Sequence, residues 1–215
     1  MTLRLQLAID ASAGPASVAL FVDGALVQAR RIDRHGSAEL LAPAIADMLL
    51  DAGRTAHELT DVIVGGGPGS FTGLRVAAAL GKGLARGTGA TLHAVPSLPL
   101  IAAADGALPG LYLAVLDALR GEWFVQAVTK HADERWTVDG PVERLAIPIV
   151  RSQAIARGAT IVGPPVDPLQ QPDACAALRV GTVVVDRDTW EPDYGRLAEA
   201  QVQWETTHAR PLPAA

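Results

Sequence analysis

Residues 65–75 read Gly65-Gly66-Gly67-Pro68-Gly69-Ser70-Phe71-Thr72-Gly73-Leu74-Arg75, and they follow the apolar run Val62-Ile63-Val64. An alanine-rich segment of helical character comes directly after them. A glycine cluster at a strand-to-helix junction indicates that another group approaches the backbone closely, often a phosphate at the helix N-terminus. The stretch therefore predicts a β-strand, a tight loop and a helix that begins near Thr72.

The spacing of these glycines excludes three common functional loops. A P-loop ends in Gly-Lys-Ser/Thr, whereas Gly81-Lys82 is followed by Gly83. The dinucleotide-binding pattern requires a glycine where Thr72 stands. The nucleophile elbow requires glycines two residues on either side of Ser70, and Pro68 and Thr72 occupy those positions.

The string from Gly67 to Arg75 resembles the signature of the TsaB family, the dimerisation subunit of the bacterial machinery that makes threonylcarbamoyladenosine in tRNA. The resemblance covers residues 1–130 and continues loosely at Pro192–Arg196, which is similar to a tyrosine–arginine element near the family's C-terminus. It implies an α/β, actin-like (ribonuclease H-like) fold of the actin/Hsp70/hexokinase superfamily. That fold has two small subdomains, each a mixed β-sheet flanked by helices.

Composition favours a well-buried core and a partner other than nucleic acid. The chain has 215 residues, of which 49% are hydrophobic and 19% charged, and its formal net charge is −5. We therefore expect any contact with tRNA to be indirect, through a complex. Cys175 is the single cysteine, which predicts a cytoplasmic protein without an internal disulfide, and no stretch predicts a membrane span.

The element pattern divides the chain into a first subdomain at 1–104, a second at 105–207 and a flexible tail at 208–215. For the first subdomain the sequence predicts a mixed five-stranded sheet, with a hairpin at Asp23-Gly24 and helices at 37–52 and 72–86. The second begins with a strand at 111–116, and Leu111–Ala118 is similar to Leu5–Ala11 with one residue inserted. We read this similarity as two related halves.

The second helix carries a ridge of small residues at every fourth position, Gly73, Ala77, Gly81 and Ala85. Such a ridge allows another helix to approach closely, so we expect it to bind a partner. The predicted partner surface also includes Leu41, Ile45 and Met48 of the first helix, and Arg75, which can meet an anion or a partner carboxylate. Phe71 is expected in the core. A well-packed turn without a ligand remains the alternative for the glycine loop.

Asp10, Ser12 and Asp117 lie where ATP-using members of the superfamily contact phosphate and magnesium. Ala11 replaces the threonine of the family's usual Asp-Thr-Ser, and Asp117-Ala118-Leu119-Arg120 has one residue more than the usual Asp-Ala-Arg. Two readings stay open, a structural turn and a weak nucleotide or ion contact. No two histidines are three or four residues apart, so we expect no metal site of the His-x-x-x-His kind.

The resemblance implies a non-catalytic scaffold that binds the catalytic subunit TsaD and, through it, the ATPase TsaE. The complex transfers a threonylcarbamoyl group onto the adenosine next to the anticodon. No cofactor is expected to be required by this chain, although ATP and Mg²⁺ can act at the level of the complex, and the chain alone can form a homodimer. The alternatives are an ATP-dependent phosphotransferase that uses Asp10 and Asp117 and, ranked lower, a metallopeptidase.

Overall fold

The computed structural model describes residues 3–32, 37–103 and 107–195, which form an α/β protein with two mixed sheets. The strands are β1 Leu5–Asp10, β2 Ala16–Val22, β3 Ala25–Ile32, β4 Asp61–Gly65, β5 Thr91–Val95, β6 Gly110–Asp117, β7 Glu122–Lys130, β8 Trp136–Val138, β9 Glu143–Ala146, β10 Thr160–Val162 and β11 Val183–Val184. The helices are α1 Ser37–Asp51, α2 Phe71–Thr88, α3 Ser97–Ala102, α4 Ile147–Arg157 and α5 Ala177–Val180, with short 3-10 turns at Ala56–Glu58 and Ala174–Ala176.

The first sheet has the strand order β11-β5-β4-β1-β2-β3. Strands β1, β4 and β5 are parallel to one another, whereas β2, β3 and β11 each pair antiparallel. All residues of β1 are buried, as expected for a strand that is covered on both faces. The sequence predicted a five-stranded sheet in this half, and the sixth strand, β11, comes from the far end of the chain.

The predicted hairpin joins β2 and β3. Asp23 and Gly24 have φ values of 50° and 82°, so both central residues adopt the left-handed conformation that a type I′ turn requires. The side chain of Asp23 accepts a hydrogen bond from the backbone N–H of Arg4 at 2.9 Å. The turn is thereby tied to the residue that precedes β1.

The second sheet repeats the arrangement of the first. Its order is β10-β6-β7-β8, with β9 also paired to β7. In each half an opening strand pairs antiparallel with the next strand, as β1 with β2 and β6 with β7, and parallel with a strand that follows a helix, as β1 with β4 and β6 with β10. The similarity of the two segments therefore corresponds to equivalent strands.

The C-terminal part of the described chain returns to the first half, which differs from the predicted division at residue 104. β11 pairs with β5, and the N–H of Val185 donates to the carbonyl of Leu92 at 3.0 Å. Residues 186–195, here called the strap, then pack along α2. The predicted tail at 208–215 and Arg196 lie outside the described residues.

Two apolar layers cover the first sheet. One lies between the sheet and helices α1 and α2, and the other lies between the sheet, α3 and the second half of the chain. Leu41, Ile45 and Met48 project from α1 into the first layer, so the helical periodicity correctly predicted a single apolar face.

Candidate functional site

The glycine loop connects β4 to α2 as the sequence predicts. Ser70 caps α2, because its side chain accepts a hydrogen bond from the N–H of Gly73 at 3.3 Å. The backbone N–H of Ser70 donates to the carbonyl of Ser12 at 2.7 Å. The loop is therefore attached to the turn that follows β1.

Glycine is required in this loop because other segments occupy the space of a side chain. A Cβ on Gly67 would lie well under 3.0 Å from the carbonyl oxygen of Asp193, and a Cβ on Gly69 equally close to that of Ser12. A Cβ on Gly73 would overlap the carbonyl oxygen of Ala11. A Cβ on Gly65, at the end of β4, would likewise overlap the carboxylate of Asp10. The signature thus has a packing reason at each of these glycines.

Asp10 lies at the centre of this junction and is 1% exposed. Its carboxylate accepts hydrogen bonds from the N–H and hydroxyl of Ser12, at 2.9 and 2.7 Å, and from the hydroxyl of Ser97 at 2.7 Å. The Ser97 hydroxyl in turn accepts the N–H of Gly67 at 3.1 Å. Burial raises the pKa of Asp10, and the bonds from the two serines partly oppose this. Asp10 joins β1, the glycine loop and α3.

A cleft of about 330 Å³ lies between the two halves and is lined by Ser12 and Asp117, together with Pro15, Gly69 and Phe124. Asp10 is not among the lining residues, so its carboxylate lies outside the cleft that Ser12 and Asp117 line, although Ser12 is hydrogen-bonded to it. Of the described residues that line the cleft, only Asp117 is charged, and its carboxylate accepts the N–H of Leu119 at 2.8 Å. Nucleotide binding in this cleft stays a prediction.

The turn from β6 to β7 has unusual backbone geometry. Leu119 and Arg120 have φ values of 65° and 55°, in the left-handed region that residues other than glycine rarely adopt. The neighbouring Glu122 forms an ion pair with Arg144 at 3.0 Å.

The small-residue ridge of α2 packs on the protein's own sheet, which corrects the expectation that it meets a partner helix. Ala77 and Ala85 have no exposed surface, and a Cβ on Gly81 would clash with the side chain of Val64 in β4. The fourth ridge residue, Gly73, faces Ala11. Periodicity of small residues indicates close packing, but it does not distinguish a sheet of the same chain from a partner.

The prediction of direct partner contacts on α1 is wrong because the side chains concerned, Leu41, Ile45 and Met48, pack inside the protein's own core. They are exposed by 0%, 3% and 0%, and they belong to the core between α1 and the first sheet. The apolar face of α1 is thus used for folding. Phe71 is also placed differently from the prediction, because it is half-buried at the surface with its ring centroid 4.7 Å from that of Tyr194.

The outer surface of α2 carries a second stripe of small residues that was not predicted from the sequence. Ala79, Gly83 and Gly87 recur at every fourth position, two residues out of step with the buried ridge, and all three are exposed. They line a groove of about 390 Å³ between α2 and the 3-10 turn at Ala56–Glu58. A Cβ on Gly83 or Gly87 would meet no atom within 4 Å. The same spacing rule could have found this stripe.

Apolar residues are also exposed on α1, the helix next to α2. Pro43 and Ala46 are exposed, and Leu50 is 76% exposed. We call the outer surface of the two helices, comprising these residues and the groove residues of α2, the α1/α2 outer face. Arg75 is exposed near the start of α2 and lies over the ring of Phe71, with its guanidinium carbon 5.3 Å from the ring centroid.

Within residues 3–32, 37–103 and 107–195, no group of three or more His, Cys, Asp or Glu side chains could hold a metal ion. In the same ranges no helix has the length and apolar character needed to cross a bilayer.

Comparison with known proteins gives consistent matches. A family model described as TsaD, tRNA N6-adenosine threonylcarbamoyltransferase, matches residues 31–156. The tRNA threonylcarbamoyladenosine biosynthesis protein TsaB of Bacillus subtilis is 36% identical over 80 residues, 37% of this chain and 35% of the relative. The TsaB protein of Escherichia coli is 31% identical over 118 residues, 54% of this chain and 51% of the relative.

The matched stretches cover about half or less of these relatives, and 42% of a third, the Haemophilus influenzae TsaB protein, which is 35% identical over 47% of this chain. A solved structure, YeaZ from Pseudomonas aeruginosa, superimposes with a TM-score of 0.70 at 24% identity, covering 89% of this chain and 99% of that chain. The superposition confirms the predicted actin-like α/β fold.

Proposed function

Because the chain belongs to the TsaD family of tRNA N6-adenosine threonylcarbamoyltransferases, and within it to the TsaB proteins, we propose that it is a non-catalytic subunit. In this proposal it binds a TsaD-type catalytic subunit and supports threonylcarbamoyl transfer onto the adenosine next to the anticodon of tRNA. The names of its TsaB relatives support the pathway. The α1/α2 outer face supports the mode of action.

The observation that carries the proposal is the chemistry of the α1/α2 outer face. Ala79, Gly83 and Gly87 leave α2 without side-chain bulk along its exposed stripe, so that the backbone of another helix can approach to a short interaxial distance. Half-buried Leu80 and Leu84 border the stripe and supply apolar surface. Exposed apolar surface of this kind, here present on two neighbouring helices, is typical of protein–protein interaction sites.

The environment of Asp10 supports a non-catalytic role. Both of its carboxylate oxygens accept hydrogen bonds from serines of the same chain, and the side chain lies inside the junction of β1, the glycine loop and α3. A carboxylate that orders a turn in this way differs in function from one that holds a metal–phosphate group. In the proposed assembly, ATP with Mg²⁺ acts at the level of the complex, the TsaE ATPase joins through TsaD, and tRNA contact is indirect.

The assembly would operate in the cytoplasm with the other components of tRNA modification. The α1/α2 outer face also suits self-association, because two copies can place the same small-residue stripe against each other around a two-fold axis. Self-association and binding of the catalytic subunit would then compete for one surface.

Isothermal titration of the chain with purified TsaD tests the proposal. The variant Ala79→Arg places a charged side chain in the groove, and the matched control Ala156→Arg makes the same change at an exposed position of α4. We expect Ala79→Arg to abolish measurable binding and Ala156→Arg to bind like the wild type, with both variants folded by circular dichroism. Equal binding by the two variants contradicts the proposed surface.

A further inference from the structure

The strap, residues 186–195, runs along α2 in the opposite direction to the helix. Near the C-terminal end of α2, Arg86 forms an ion pair with Asp188. In the middle, Lys82 Nζ lies 2.9 Å from the carboxylate of Glu191. Two acidic residues of the strap thus pair with two basic residues of the helix.

The strap reaches the glycine loop at its far end. The N–H of Asp193 donates to the carbonyl of Gly66 at 2.8 Å, and the carbonyl of Asp193 takes the place that a side chain on Gly67 would need. Trp190 lies over the loop, with its Cζ2 3.6 Å from the position of a Cβ on Gly66. The absence of side chains in the loop is therefore what allows the strap to bind there.

Tyr194, the last aromatic residue of the strap, is linked through Phe71 to Arg75 near the start of α2. Tyr194 contacts Phe71, whose ring in turn lies under the guanidinium of Arg75. In the described part of the chain Lys82 and Arg86 pair with carboxylates of the strap, whereas Arg75 forms no ion pair. The planar fork of N–H donors on a guanidinium matches the geometry of a carboxylate, and an arginine that packs beside an aromatic ring can still present this fork.

We propose that the packing of the strap on the glycine loop holds Phe71 and Arg75 in position to receive a carboxylate of the partner. Tyr194 then contributes to partner affinity through Arg75. This rests on the proposed function, and it adds to the α1/α2 outer face a second contact with a required chemistry, an acidic side chain. Arg75 binds the carboxylate, and Tyr194 is a positioning residue.

Two measurements on the whole chain test this role of the strap. Hydrogen exchange of the free chain follows the amides of residues 66–74 and of Asp193, and titration with purified TsaD gives the affinity. The variants are Tyr194→Ala, Arg75→Gln and the double variant, and the matched control is Tyr112→Ala in the second sheet. We expect Tyr194→Ala to increase exchange in residues 66–74 and to weaken binding by about 2- to 30-fold. Tyr112→Ala should change neither quantity.

The double variant distinguishes positioning from a separate contact. If Tyr194 acts through Arg75, Tyr194→Ala should weaken binding by a much smaller factor in the Arg75→Gln background than in the wild type. Equal factors in the two backgrounds overturn the proposal, as does Tyr194→Ala binding at wild-type affinity. A wild-type chain that does not bind TsaD overturns the proposed function and the coupling with it. In that case the exchange measurement alone decides whether the strap orders the loop.

Discussion

Adding a single methyl group at Gly81 or at Gly83 tests which face of α2 supports the fold. Both residues lie inside the helix, but Gly81 is buried against β4 whereas Gly83 is exposed. A Cβ on Gly81 would clash with Val64 Cγ2 and would lie 3.6 and 3.7 Å from side-chain atoms of Val62 and Leu92. A Cβ on Gly83 would meet nothing within 4 Å.

Comparing the two alanine variants isolates the cost of overpacking. Replacing glycine by alanine in a helix is intrinsically favourable by about 0.8–1.0 kcal/mol, and this gain is common to both positions. Overpacking a well-packed core costs about 1–3 kcal/mol and applies to Gly81→Ala alone. The free energy of unfolding of Gly81→Ala should therefore be about 1–3 kcal/mol lower than that of Gly83→Ala. For a chain of this length the melting temperatures should differ by about 2–12 °C.

Urea unfolding followed by circular dichroism measures this difference, with equal m-values required for the comparison. Titration with TsaD of the same two variants then separates folding from binding, since Gly83 alone lies on the α1/α2 outer face. If Gly81→Ala is as stable as Gly83→Ala but fails to bind the partner, the assignment of the buried ridge to the protein's own core is refuted.

Three further outcomes follow from the junction at Asp10. Asp10→Ala should lower the free energy of unfolding by about 3 kcal/mol or more, because the donors of Ser12 and Ser97 lose their acceptor. Asp10→Asn keeps an acceptor and should cost about 1 kcal/mol or less. Equal losses for the two variants in urea unfolding would contradict this. Since the folded-state pKa of Asp10 is raised, wild-type stability relative to Asp10→Asn should fall as pH rises above 3.8, and a pH-independent difference in urea midpoint would exclude the shift. Gly67→Ala, at φ 94°, should cost about 2 kcal/mol or more and release the strap, seen as faster exchange of the Asp193 amide.

The local elements could be predicted from the sequence because their signals act over a few residues. The left-handed pair Asp23-Gly24 specifies its hairpin, and Ser70 caps α2 where the glycine loop ends. The pairing of β11 with β5 joins segments that are far apart in the chain and carries no local signal. It was therefore missed, and the boundary of the second subdomain was extended too far.

The candidate site was predicted in part. Helix α2 carries two stripes of small residues, and the spacing was interpreted as a partner site on the stripe that includes Ala77, which the sheet buries. Spacing alone does not tell which stripe faces the sheet, because that depends on the direction in which α2 leaves the loop. The separation of Asp10 from the cleft was missed because the bond to Ser97 bridges distant segments.

Hydrogen exchange of the chain with and without purified TsaD is the most direct test of partner binding through the α1/α2 outer face. The proposal predicts that TsaD slows exchange in residues 42–50 and 75–87 and leaves α4 unchanged. Protection confined to the cleft at residues 12–15 and 117–119, or no protection at all under conditions in which TsaD is active, would contradict it.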